Sequence, residues 1–542
     1  MLGYRVVSPG PLDRLSHHAH VLRTLYGAGL IEPVRPDRLP RMGRALMRWG
    51  TTSGGALAVT AVKLPHQPAV VDELGTLSYA ELDRRANALA SSLAAHGVRP
   101  GDGVAIMCRN HRGFMDVSVA CSRLGANALY LNTMFAAPQL TDVVEREDAR
   151  AIVYDEEFAG VVEHARADRM RFVAWHDGGE LPEDPLLEDL IAAGDPAGVP
   201  APSEPGRVVI LTSGTTGKPK GAQRTSAGLD AAASLLSKIP LRARGATMLA
   251  APLFHSWGLA HYTLGVPLGS TFVLRRRFDP EGTLRAIARH RADALVAVPV
   301  MLQRIMELPA EVLDRYDCSS LKVIALSGSA LPGPLATQIM DRFGDVLYNL
   351  YGSTEVAWAT IATPQDLRAA PGTAGRPPRG TVVKLFDEHD REVAPGQTGR
   401  IFVASGLPFE GYTGGETKAT IGELMSSGDV GHFDAAGRLF VDGRDDDMIV
   451  SGGENLFPSE VEDLLASHPA VREVAVVGVE DEAWGQRLRA VVALHEPGSV
   501  GEDELKRYVK ENLAAFKVPR EVVFVEELPR NATGKVLKRE LE

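Results

Sequence analysis

The densest run of residues able to do chemistry is Leu211–Thr–Ser–Gly–Thr–Thr–Gly–Lys–Pro–Lys–Gly221. It follows Val208–Val209–Ile210, an apolar run with the composition of a buried strand. Small hydroxyl residues and glycines placed after a strand let backbone N–H groups come close to phosphate oxygens. Thr212 opens the run, Ser213, Thr215 and Thr216 add hydroxyl donors, and Lys218 and Lys220 add positive charge. The run reads as a phosphate cradle bent at Gly214 and Gly217. It is not a Walker A loop, because Gly214 and Gly217 are too close in sequence and Pro219 follows Lys218. There is no G-x-S-x-G nucleophile elbow, no H-E-x-x-H helix and no Cys/His spacing suited to zinc.

Positioning such a loop calls for alternating strands and helices, and the chain has the pattern for them. Apolar runs at Ala69–Asp72, Val104–Met107, Ala128–Leu131, Ala151–Tyr154, Val208–Leu211, Thr247–Ala250, Thr271–Leu274, Ala294–Val298 and Val323–Leu326 predict strands of parallel or mixed sheets. Between them lie helices; Ser78 with Glu81 is a capping box, and Gly97 and Pro100 stop the helix it opens. The fold class is α/β. After about residue 375 the pattern changes to short strands, Val382–Phe386, Gly399–Val403 and Arg438–Val441, with a turn at Asp434–Gly437. Beyond the charged joint Asp445–Asp447 a small α+β unit begins.

Composition is that of a globular protein, 45% hydrophobic and 23% charged, which excludes a disordered or collagen-like chain. A formal charge of −11, spread along the sequence, argues against a nucleic-acid binder. Arg275, Arg276 and Arg277 read as a solvated strand end. Three cysteines without C-x-x-C pairing point to a reducing compartment, and no cleavable leader is evident; the expectation is a cytoplasmic protein. Gly245–Leu274 lacks charge but carries prolines and glycines, so it reads as a buried strand–loop–helix–strand unit and not as a span. In residues 1–50, an N-terminal extension, Leu39, Met42, Leu46 and Trp49 recur at helical spacing among arginines. Two readings stand: a helix packed on the main body, which is favoured, and an amphipathic helix in peripheral contact with an anionic membrane.

Further segments, in order and spacing, resemble the adenylate-forming (AMP-binding) enzymes, which include acyl-CoA synthetases, luciferases and the adenylation domains of peptide synthetases. The resemblance covers nearly everything after residue 50, and the branch it suggests is the long-chain fatty-acyl-CoA synthetases. Tyr351–Gly352–Ser353–Thr354–Glu355 resembles a nucleotide motif, implying Tyr351 on adenine, Thr354 on the α-phosphate and Glu355, with Thr212, on Mg²⁺. Ser327–Gly328–Ser329–Ala–Leu–Pro332 resembles the loop between adenine and the acyl pocket. Ser427–Gly–Asp429–Val–Gly431 resembles the ribose motif; one carboxylate accepts from both ribose hydroxyls, although an Asp–Gly turn has the same letters. Arg444 is implied at ribose or phosphate, Asp446 at the hinge, and Lys535, in Pro529–Arg–Asn–Ala–Thr–Gly–Lys535, as the catalytic lysine. Ser451, Gly452, Gly453 and Glu454 resemble the face that meets coenzyme A, and His255 and Trp257 the acyl pocket, His255 on the carboxylate side.

The resemblance implies a large domain over 51–445, made of α/β subdomains with mixed sheets plus a small β-barrel-like subdomain, and a mobile α+β domain over 446–542. It implies ATP, Mg²⁺ and coenzyme A, and a fatty acid activated as its adenylate and passed to the thiol, with AMP and pyrophosphate released. An aryl-acid ligase, a ligase that loads a carrier protein, and an inactive nucleotide-binding homologue are the alternatives.

Overall fold

The computed structural model describes residues 11–165, 169–213, 219–224, 228–407, 409, 411–413, 417–445, 449–451, 454–456, 458–481, 485–513, 517–531 and 534–541. Two largely parallel sheets form its centre. The larger has eight strands in the order Thr360–Ala362, Leu347–Tyr351, Val323–Leu326, Ala294–Ala297, Ala246–Leu249, Thr271–Val273, Pro68–Asp72 and Gly75–Ser78. Only the outermost pair at each edge is antiparallel. Its central strands are buried on both faces, which is why they read as unbroken apolar runs. The second sheet has six strands, Met170–Trp175, Ala149–Asp155, Gly103–Met107, Asn127–Tyr130, Val208–Ser213 and Pro219–Arg224. Helices Tyr79–Ala95, Arg112–Leu124 and Ser256–Leu268 contribute buried faces to the core between these sheets. Ser78 and Glu81 make the expected capping box.

Several strands went unread in the sequence, and two of them change how a motif is read. Pro219–Arg224 runs antiparallel to Val208–Ser213, pairing Thr212 with Lys220 and Ser213 with Pro219, so the phosphate loop is the tip of a hairpin. Leu424–Phe433 contains Ser427–Gly431; the motif lies inside a long strand and is not an Asp–Gly turn. The strand bulges between Val430 and Gly431, and Gly428 adopts φ +83°. At Gly431 a Cβ would stand 2.2 Å from the Phe440 carbonyl oxygen, so only glycine lets these two strands meet.

That strand belongs to an antiparallel five-stranded sheet with Val382–Phe386, Gly399–Ala404, Thr420–Ile421 and Leu439–Arg444. A fourth sheet uses strands from 449–525 alone, with helices Pro458–Ala466 and Glu502–Asn512 packed on it.

The N-terminal helices are fastened to this body. Helix α1 (Pro11–Ala28) packs on helix Leu229–Leu236, with His17 3.0 Å from Asp230. Helix α2 (Leu39–Trp49) buries Trp49 and turns into α3 (Ser53–Lys63) through Gly50. Gly55 permits that turn, because a Cβ there would meet the Gly50 carbonyl oxygen at 2.0 Å. Packing on the main body therefore holds for α1 and for Trp49, but Leu39 and Leu46, read as part of the same stripe, are exposed at 54% and 48%.

The arginine cluster corrects a second expectation. Arg276 is not a solvated strand end: its guanidinium lies 4.5 Å from the Trp175 ring centre and 2.9 Å from Glu157. The uncharged stretch 245–274 is the expected strand, helix and strand, and no described helix is long and apolar enough to cross a membrane.

Candidate active site

One cavity of about 2500 Å³ is bordered by residues from every motif whose side chains are described. Ser327, Gly328 and Ser329 come from the loop after strand Val323–Leu326, Tyr351 ends strand Leu347–Tyr351, and Gly352 to Glu355 come from the loop after it. Asp429 and Arg444 face each other across neighbouring strands. Lys535 reaches the cavity from the last sheet's domain. Carboxyl ends of parallel strands are where an open α/β sheet forms a crevice, because adjoining loops diverge there.

The polar end of this cavity is tightly hydrogen-bonded. The Tyr351 hydroxyl donates to Asp429 Oδ2 at 2.5 Å and to Ser427 Oγ at 3.2 Å, and Arg444 Nε stands 3.6 Å from Asp429 Oδ1. Burial and the neighbouring carboxylate push the Tyr351 phenol well up. Burial also raises the Asp429 carboxyl, while the Tyr351 hydroxyl, Arg444 and Lys535 pull it the other way. Glu355 shows the reverse balance. Burial alone would raise its carboxyl, but Tyr412 donates to Oε1 at 2.5 Å and Ser353 to Oε2 at 2.7 Å, and together they hold it below the usual carboxylate value. It is an ionised carboxylate kept in place from both sides.

The loop that carries these groups is strained. Ala357 adopts φ +62°, a conformation costing a non-glycine residue about 1–2 kcal/mol. Gly352 makes it possible, since a Cβ there would lie 2.0 Å from the Ala357 carbonyl oxygen. Gly328 is glycine for its own φ of +97°.

Lys535 sits on a hairpin closed by an Arg530–Val536 bridge, with its N–H donating to Asn531 Oδ1 at 2.9 Å. Gly534, at φ +80°, packs on Val300; a Cβ would meet its Cγ1 at 2.5 Å. Gln303 donates to the Arg472 carbonyl at 3.1 Å, and Arg304 pairs with Glu527 at 2.7 Å. The last domain is thus docked with its lysine toward the cavity.

His255 caps helix Ser256–Leu268, its Nδ1 accepting from the Trp257 N–H at 3.4 Å, and burial lowers its pKa to about 4. It lines the cavity as a neutral ring and brings no positive charge to a substrate carboxylate. Trp257 donates Nε1–H to the Ala297 carbonyl at 3.1 Å and stacks edgewise on His261, so it is a fixed wall.

Gly214, Thr215, Thr216, Gly217, Lys218, Asp446, Gly452 and Gly453 lie outside the described residues, as do the side chains of Thr212, Ser213, Lys220, Ser451 and Glu454. Three contributors escaped the sequence reading. Tyr412 reaches Glu355 from a segment bridged to Ala222, and its only signal is an aromatic in a glycine-rich run. Lys418 lines the cavity and acts on Glu355 electrostatically. Asn349, two residues before Tyr351, is 7% exposed, and its Oδ1 has no protein partner among the described residues.

A second buried group, Cys108, His111 and Asp155, has metal-ligand chemistry, but its atoms serve each other. His111 Nδ1 accepts from the Gly113 N–H at 3.1 Å, and Nε2 is 2.7 Å from Asp155.

Fold and cavity together define a nucleotide-dependent α/β enzyme, and comparison with known proteins names its family. Residues 57–413 match the AMP-binding enzyme family and residues 460–535 the AMP-binding enzyme C-terminal domain. The chain belongs to the AMP-binding enzyme family. It is 35% identical over 484 residues to a feruloyl-CoA synthase of an Amycolatopsis species, covering 88% of this chain and 96% of that protein. It is 33% identical to the 2-succinylbenzoate–CoA ligase of Bacillus subtilis strain 168, with 88% and 95% covered. The solved o-succinylbenzoate-CoA synthetase of Bacillus subtilis, bound to its acyl-adenylate, superposes with TM-score 0.76 at 30% identity over 90% of this chain and 97% of that one. These relatives act on ring-bearing acids, so the expected fatty-acyl branch gives way to the broader class of acid–CoA ligases.

Proposed function

We propose that this chain joins a carboxylic acid to coenzyme A at the expense of ATP, and that the acid bears an aromatic ring. The observation that carries the ligation is the meeting of Ser327–Ser329, Tyr351–Glu355, Asp429, Arg444 and Lys535 around one cavity. The ring-bearing acid is carried by the feruloyl and succinylbenzoate relatives. At about 2500 Å³ the cavity exceeds the roughly 300–1,000 Å³ of a single-ligand pocket, as a site for nucleotide, acid and thiol must. A long aliphatic acid is the second reading, favoured by an apolar wall that continues from Trp257 and Leu259 to Val59 of α3.

In the first half-reaction a carboxylate oxygen of the acid attacks the α-phosphorus of ATP and pyrophosphate leaves. Asp429 accepts from the ribose hydroxyls, with Arg444 beside it, and the unpartnered Asn349 Oδ1 accepts from the adenine amine. Lys535 bridges acid and α-phosphate as negative charge builds there. The ionised Glu355 has the hard oxygen chemistry that suits Mg²⁺, and with Thr212 would hold it. Bound there, the ion would neutralise phosphate charge. In the second half the coenzyme A thiolate attacks the acyl carbon, and AMP departs with the electron pair of the broken acyl–oxygen bond. Rotation of residues 446–542 about Asp446, as a domain separate from 51–445, exchanges the Lys535 loop for the Ser451–Glu454 face between the halves.

Pyrophosphate release, measured across aryl and aliphatic acids with and without coenzyme A, tests this reading. Acid-dependent release is expected, with acyl-CoA and AMP appearing only when the thiol is present. ATP hydrolysis that ignores the acid would refute it.

A further inference from the structure

The cavity does not close behind Trp257. Its wall continues along Leu259, Ala260 and Thr263, passes Val59, and reaches Ile31, Leu46 and Met47. Those three are exposed at 42%, 48% and 80%. With Leu22, Tyr26 and Leu39 they make six of the eleven large exposed hydrophobic residues among the described residues, all within one short segment. Single exposed apolar side chains need no explanation, but a concentration of them marks a surface that meets something.

The charge on this segment indicates what. At 100° per residue, Leu39, Leu46 and Met47 fall on one side of α2, and Arg41, Arg44 and Arg48 on the opposite flank. The helix holds no acidic residue, in a chain whose formal charge is −11. None of these arginines pairs with a carboxylate among the described residues; Arg48 donates to the Val199 carbonyl at 2.6 Å, and Arg44 to the Pro40 carbonyl at 3.4 Å. A protruding aliphatic edge with the exposed cations Arg41 and Arg44 on the other flank complements a bilayer, with acyl chains for Leu and Met and phosphates for Arg.

We propose that α2 seats on an anionic phospholipid bilayer and that the cavity mouth at Ile31, Leu46 and Met47 opens toward it, so that an apolar acid enters from the lipid phase. The docking stands on the surface alone; the passage of an acid rests on the ligase reading.

The full-length protein would be sedimented with phosphatidylcholine vesicles and with vesicles containing phosphatidylglycerol. Binding to the second kind only is expected. Leu46→Glu/Met47→Glu and Arg41→Glu/Arg44→Glu should each weaken it roughly tenfold or more, since each cation near an anionic surface contributes about fivefold. Arg41→Glu/Arg44→Glu should keep full pyrophosphate release with a water-soluble acid and lose rate only with an apolar acid supplied in the anionic vesicles. No binding by the wild type, or equal binding by the variants, would overturn docking. Equal rates for the Arg variant with the vesicle-borne acid would overturn the port. A lipid-free dimer dissolved by Leu46→Glu/Met47→Glu, with no vesicle binding, would make the face a self-association surface and overturn the proposal. Vesicle binding without acid-dependent pyrophosphate release would refute the ligase reading and leave the docking face standing.

Discussion

The two ends of the cavity are built differently. At the polar end, proposed to take the nucleotide, Tyr351, Asp429 and Glu355 are held by hydrogen bonds: Tyr351 to Asp429, and Tyr412 and Ser353 to Glu355. At the apolar end, proposed to take the acid, the wall is Trp257, Leu259, Ala260 and Val59, positioned by packing between helices, with the Trp257 Nε1–H tied back to the Ala297 carbonyl. On the proposed function, the contrast follows from the ligands each end would meet. A polyphosphate demands donors and charges at set places, so residue types and order are constrained there. An apolar acid demands volume and shape, which many side chains can supply.

Three substitutions test this contrast. Lys535→Ala should have the largest effect, lowering adenylate formation by roughly 10²–10³-fold, as for removal of a charge-stabilising donor, while sparing thioester formation from supplied acyl-adenylate. Single-turnover assays of the two halves measure this, and equal loss in both would erase the role given to the nucleotide end. Ala260→Trp should come next. Filling the acid end should raise KM for bulky acids by roughly tenfold or more while leaving KM for ATP unchanged. A matching change in the ATP value would mean that the two ends are not separable.

Tyr412→Phe should have the smallest effect, a few-fold loss or about 1 kcal/mol, because Ser353 still donates to the Glu355 carboxylate. The pH profile sharpens it. Glu355 is held below the ordinary carboxylate value, so its ionised form persists as pH falls and is lost only on passing that depressed value. Without the Tyr412 donor the value rises, and the acid limb of activity should move to higher pH. A profile identical to wild type would remove Tyr412 from the site.

Much of the polar end of the cavity was legible because its residues lie in short runs of distinctive order. Tyr351–Glu355 and Ser327–Ser329 each follow a strand, and loops there lead into the crevice. Tyr412 and Lys418 were not legible, since nothing local marks an aromatic or a lysine as the partner of a glutamate 57 or 63 residues earlier. For Ser427–Gly431 a turn stood as the alternative reading, because two glycines around an aspartate favour turns locally and only pairing with Gly399–Ala404 and Leu439–Arg444 makes it a strand. Arg276 looked solvated for a similar reason: Glu157 and Trp175 are far away along the chain.

By itself the sequence determined the α/β class, the capping of helices and the residue types and order of the motifs that border the cavity, because these depend on neighbours within a few residues. Tertiary structure alone decided the docking of the Lys535 hairpin, through Gly534, against Val300, the neutrality of His255 and the run of the cavity toward α2. Each depends on which distant surfaces exclude water from one another, and burial of that kind has no local signature in the chain.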